Sequence, residues 1–137
     1  MPNIPARVES WAVTGVLKVE DDITIHSLWP HMHSRGKDMT FVLTLPNGRQ
    51  ETLLSVPNYN PHWQITYELA KPLKVRQGST ITAYGHYDNS SRNHHNPAPD
   101  AEVRFGPQST DEMYIPFMEV SVDDENLRLK QVEEWLR

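Results

Sequence analysis

Residues 39–55, MTFVLTLPNGRQETLLS, decide the fold class. An apolar, β-branched run ends in Pro46-Asn47-Gly48, and Asn-Gly between two such runs is a strong hairpin signal, because both residues tolerate the backbone angles of a tight turn. The stretch predicts a strand over 39–45 and a return strand over 49–55. Upstream, 11–19 (WAVTGVLKV) and 23–29 (ITIHSLW) are β-branched and aromatic, with Asp21-Asp22 as a solvated acidic turn between them. Downstream, 63–70 (WQITYELA) and 79–87 (STITAYGHY) read as a third pair, with Trp63 in the core. A polar loop over 88–100 (DNSSRNHHNPAPD), held by Asx turns, leads to a short strand over 101–106 and a longer one over 113–122 (MYIPFMEVSV). Seven or eight short strands at this spacing predict an all-β chain, an antiparallel β-sandwich or jelly roll spanning residues 1–122. The tail, 123–137 (DDENLRLKQVEEWLR), opens with acids and sets Leu129, Val132 and Leu136 on one face, which predicts a short C-terminal amphipathic helix.

The bulk composition narrows the function. A chain of 137 residues is the size of one domain and can bury enough surface to fold without a metal or disulfides, so any metal it binds serves function. Lys and Arg total 13 against 18 Asp and Glu, a net charge of −5 that disfavours a phosphate backbone, so no nucleic-acid partner is expected. The absence of cysteine excludes thiolate metal sites, a Cys nucleophile and covalent haem attachment. No apolar run of about 18 residues is present, so no membrane segment is expected in this chain. The start, MPNIPARVES, lacks the profile of a secretory signal, and the chain reads as a piece of a longer protein. Gly36-Lys37 lacks the preceding glycine of a phosphate loop, and no Ser-His-Asp signature is seen.

The residues with metal chemistry lie just beyond the second strand. In His31-Met32-His33 the imidazoles are two residues apart, and in extended chain such positions share a face, so two nitrogens can reach one ion. Pro30 biases Trp29 towards extended backbone, and Gly36 is expected to permit a sharp turn after the pair. His-x-His alone is a weak signal and needs a third ligand. One candidate is Met113, at the end of Ser109-Thr110-Asp111-Glu112-Met113, an acidic turn entering the last strand; the other is a histidine among His26, His62, His86, His94 and His95. A thioether with two imidazoles suits copper rather than zinc, because soft sulfur favours Cu(I) while imidazole serves both oxidation states.

Four separated motifs then occur in one order: Pro30-His31-Met32-His33-Ser34-Arg35-Gly36-Lys37, Trp63-Gln64, Tyr87-Asp88-Asn89-Ser90 with Asn96-Pro97, and Val103 to Gly106 leading into Thr110-Asp111-Glu112-Met113. Over residues 22–120 the chain resembles the C-terminal domain of the copper type II, ascorbate-dependent monooxygenases, the family of peptidylglycine α-hydroxylating monooxygenase and dopamine β-monooxygenase, and bacterial versions of it in particular. The resemblance implies a jelly-roll sandwich with one catalytic copper, cycling between Cu(I) and Cu(II), held by His31, His33 and Met113. It implies O₂ activation and hydroxylation of a substrate C–H bond, with an open coordination position for the reaction.

The departures from the family are specific. In the animal peptide-hydroxylating enzyme, an arginine two residues before the first histidine, and an asparagine and a tyrosine two and four residues after the methionine, grip the substrate carboxylate; here those positions are Trp29, Ile115 and Phe117. None can pair with a carboxylate, so a C-terminal glycine peptide is not the expected substrate, and the small-molecule substrate stays open. The chain has no room for the family's second copper domain. His94-His95 is similar to the paired histidines of that other site but lies in the wrong domain. An electron-donating partner is therefore expected, a second copper, cytochrome c or thioredoxin-like domain, in a periplasmic or extracellular setting. The alternative is a non-catalytic copper-binding or structural module of an extracytoplasmic redox assembly.

Overall fold

In the computed structural model, which describes residues 1–123, seven strands form two antiparallel sheets. They are β1 (Trp11–Lys18), β2 (Ile23–Met32), β3 (Gly36–Thr44), β4 (Gln50–Val56), β5 (Tyr67–Val75), β6 (Thr80–Tyr87) and β7 (Tyr114–Val122). One sheet has the order β1-β6-β3-β4 and the other β5-β2-β7. The inward residues of both, among them Ile25, Leu28 and Met32 from β2 and Met39, Phe41 and Ile81 from β3 and β6, form one buried cluster, the core of a β-sandwich. No helix occurs among the described residues, and the helix expected over 123–137 lies outside them apart from Asp123.

The hairpin that set the fold class is present. β3 pairs with β4, and Leu45 and Arg49 close a three-residue loop in which Gly48 takes a φ of 86°. That is the left-handed position a three-residue hairpin asks of its last residue. The pairing expected between 63–70 and 79–87 is not formed. β5 pairs with β2 while β6 runs between β1 and β3, so the connection crosses from one sheet to the other. Residues 101–106 make two isolated bridges, Ile4 to Val103 and Phe105 to Glu112, in place of the expected strand. Trp63 and Gln64 precede β5 in a loop, and Trp63 is 68% exposed rather than in the core.

Two irregularities in β2 position the site. A register shift between Ile25 and Ser27 reverses the alternation, so Ile23 and Ile25 face the core before it, and Leu28, Pro30 and Met32 after it. Trp29 and His31 are thereby turned outward. β5 pairs with β2 only as far as Leu28, whereas β7 continues to Met32, so the end of β2 has one free edge. Pro30 has no N–H to leave unpaired on that edge, and at Met32 the edge is closed by a side chain: the Tyr59 hydroxyl accepts from the Met32 N–H (3.0 Å) and donates to the Met32 carbonyl (2.7 Å). Burial pushes the Tyr59 pKa up to about 12, so it remains a neutral hydroxyl at physiological pH.

Candidate metal centre

His31 and His33 flank this clamped residue. Their ring centres are 5.3 Å apart with planes at 88°. Two imidazoles bound through nitrogen to one roughly tetrahedral ion, with bonds of about 2.0 Å, have ring centres about 5 Å apart, so the pair has the spacing a shared ion requires. Each ring is oriented through Nδ1. His33 Nδ1 donates to the Asp111 carbonyl (3.0 Å), and His31 Nδ1 donates to the Gln64 side-chain oxygen (2.6 Å). The Gln64 amide is itself oriented, because its Nε2 donates to the Pro61 carbonyl (3.0 Å). Both histidines are thus set as the tautomer with hydrogen on Nδ1 and a lone pair on Nε2, and an oxygen acceptor on the other ring nitrogen is what fixes a metal-ligating imidazole.

The turn carrying Met113 is tied to the histidines by its two acids. Glu112 is fully buried, and its carboxylate accepts from the backbone N–H of His33 (2.9 Å) and of Arg35 (2.7 Å). The Arg35 guanidinium, 2% exposed, lies 3.7 Å from the same carboxylate and donates to the Thr110 carbonyl and the Asn89 side-chain oxygen. Burial raises the Glu112 pKa, while the two amides and Arg35 oppose the shift; burial likewise lowers that of Arg35 against the pull of Glu112. Asp111, whose pKa is lowered by its hydrogen bond from Arg104, also accepts from the Gln108 N–H. The β2–β7 pairing ends at His31↔Ile115 and Met32↔Tyr114, and His33 and Met113 are the residues that adjoin that end on the two strands. The Met113 carbonyl accepts from the Tyr87 hydroxyl, whose pKa burial also raises.

The other histidines are elsewhere. His26 bonds Ser121 and His86 bonds Asp38, while His62 and His95 meet each other. Among the described residues no group of three or more His, Asp or Glu gathers at one point, so the three-histidine alternative is not assembled. The loop over 88–100 does use Asx turns, with Ser90, His95 and Ala98 N–H groups bound to the side chains of Asp88, Asn93 and Asn96. Its buried member, Asn89, satisfies its whole amide, accepting from Arg35 and Asn96 and donating to the Pro5 and Ala101 carbonyls.

Gly36 has a different role from the one expected. Its φ is not positive; instead a Cβ there would lie 2.6 Å from the Tyr59 ring and 2.7 Å from Met32 Cβ. Gly36→Ala should cost about 1–3 kcal/mol in urea unfolding through overpacking, and an unchanged midpoint would show that the Tyr59 clamp is not tight.

On the outer face beside His31, Trp29 stacks on Phe117 with ring centres 4.9 Å apart and planes at 23°. The Trp29 and Phe117 rings lie 6.0 and 6.1 Å from the His31 ring. With Ser27, Thr66, Met118 and Glu119 they line a groove of about 380 Å³ whose lining carries one carboxylate and no cation.

The family profile described as copper type II ascorbate-dependent monooxygenase, C-terminal domain, matches residues 3–126. No curated protein matches the chain. Because the match spans nearly the whole chain, the chain belongs to the family of C-terminal domains of copper type II, ascorbate-dependent monooxygenases, copper-dependent oxidoreductases.

Proposed function

We propose that His31, His33 and Met113 hold one copper ion and that the domain hydroxylates a small, non-carboxylate substrate when a partner supplies electrons. The observation that carries this reading is the state of the two imidazoles: both Nδ1 atoms are committed to oxygen acceptors, leaving the Nε2 lone pairs on rings 5.3 Å apart. Met113, which adjoins the same end of the β2–β7 pairing as His33, adds the soft donor that favours Cu(I). Bound copper supplies the chemistry by which one atom of O₂ enters a substrate C–H bond.

The protein's own contribution is placement. Glu112 and Tyr59 hold the backbone on either side of His33, Gln64 and the Asp111 carbonyl hold the rings, and Trp29 with Phe117 offers a flat apolar platform beside them. A substrate with an aromatic or apolar ring fits that platform, whereas a carboxylate would face Glu119 with no cation in the groove. The electron donor is a separate domain or protein, and the setting is periplasmic or extracellular. The absence of a carboxylate grip favours a second reading, a copper-binding module without turnover.

X-ray absorption on the chain loaded with one equivalent of Cu(I) tests the ligand set: two imidazole nitrogens and one sulfur are expected. Ascorbate-driven O₂ uptake above that of free copper, alone and with a candidate donor, then separates the two readings. Met113→Leu should preserve the fold while weakening Cu(I) more than Cu(II). Equal Cu(I) affinities in the two proteins would remove Met113 from the site.

A further inference from the structure

A second pair of histidines, made of residues other than His31 and His33, is brought together by the fold. His62 comes from the loop between β4 and β5, His95 from the loop between β6 and β7, and both are exposed. Their ring centres are 5.2 Å apart with planes at 67°, nearly the spacing of His31 and His33. The two are anchored alike. The His62 N–H donates to the Asn60 side chain (2.9 Å) and the His95 N–H to the Asn93 side chain (3.0 Å), so each histidine closes an Asx turn.

Both loops hang from one segment, Ser34 to Lys37, the turn after His33 and the start of β3. The Tyr59 N–H donates to the Lys37 carbonyl (2.9 Å), the Asp88 N–H to the Arg35 carbonyl (2.8 Å), and the Asn93 side chain to the Ser34 carbonyl (3.2 Å). The separation of His62 and His95 is therefore set by bonded backbone on each side rather than by a contact between two free loops. Exposure means that neither imidazole must be desolvated to bind an ion.

We propose that His62 and His95 form a second metal site, a two-imidazole chelate for a borderline divalent transition ion such as Zn(II) or Cu(II). Ring centres about 5 Å apart match two nitrogens on one ion at bonds of about 2.0 Å. Imidazole suits zinc and copper and is a poor ligand for magnesium or calcium. No third His, Asp or Glu joins the pair among the described residues, so water completes the coordination and the site is exchangeable. Lacking sulfur, it prefers divalent ions to Cu(I). An ion there pins the loop that carries Tyr59 and Gln64, the residues that hold Met32 and His31.

The site stands independently of the copper reading, and its test is arranged accordingly. In a His31→Ala, His33→Ala background, calorimetric titration with Zn(II) alone should still find one equivalent bound. Adding His62→Ala or His95→Ala should weaken that binding by more than about tenfold, whereas His26→Ala, on β2 and bonded to Ser121, should leave it unchanged. Imidazole NMR of the unaltered chain gives a second reading, in which Zn(II) shifts the ring signals of His62 and His95 together at one equivalent. No stoichiometric Zn(II), or binding indifferent to both substitutions, overturns the proposal and leaves the pair as an edge-to-face ring contact.

Discussion

Glu112→Ala is expected to lower the unfolding free energy by about 3–5 kcal/mol, the usual cost of removing one partner of a buried ion pair. The loss has two parts. Arg35, 2% exposed, keeps its charge without its ion-pair partner, and the buried N–H of Arg35 and the partly buried N–H of His33 lose their acceptor. Glu112→Gln should cost less, since the amide oxygen can still accept from one N–H while the charge is lost. Equilibrium urea unfolding reads both changes, and a loss under about 1 kcal/mol for Glu112→Ala would mean that the turn after His33 is held by something else. Because Glu112 holds the main chain of one histidine and adjoins Met113, variants that fold should also bind Cu(I) more weakly.

The second large effect is on binding and should leave folding nearly untouched. His31→Ala and His33→Ala are each expected to abolish the stoichiometric Cu(I) site while changing apo-protein stability by no more than about 1 kcal/mol, because both rings are on the outer face and neither belongs to the buried cluster. Copper titration and urea unfolding on the same samples check the two halves. An apo wild-type chain that is unfolded would contradict the expectation, since the core of Phe41, Met39, Ile25 and their neighbours includes neither histidine. Loss of the site in only one of the two variants would show that the other imidazole serves the fold and not the metal.

Local signals were the ones that could be read in advance. The hairpin at 46–48 was legible because its turn chemistry lies within three residues, and the strands expected at 11–19, 39–45 and 113–122, found at 11–18, 36–44 and 114–122, because each is a continuous run rich in apolar and β-branched residues. The sheet to which β5 and β6 belong was not, since consecutive strands carry no mark of whether the chain turns back or crosses over. Trp63 was assigned to the core by its apolar character, yet its loop leaves it exposed. At the site, His31, His33 and Met113 could be singled out as donor atoms at suggestive spacings and by the resemblance their motifs carry. Gln64 and Arg35 appeared only within those motifs, Asp111 and Glu112 read as an acidic turn, and Tyr59 was passed over. The one local hint for Tyr59 is an aromatic residue inside the polar run Asn58 to Pro61.

The amino-acid sequence by itself determined the all-β class, the pairing of the two imidazoles on one face and the family, because each rests on short-range periodicity or on motifs in order. The tertiary structure alone decided that two acids next to Met113 are structural, one as a buried clamp on the His33 backbone and one as the carbonyl that orients its ring. It also decided that a tyrosine 27 residues away closes the free edge of β2, and that His62 meets His95. The physical reason is burial. Whether a carboxylate is a solvated surface charge or a desolvated hydrogen-bond acceptor depends on what packs over it, and that is settled by chain segments remote in sequence.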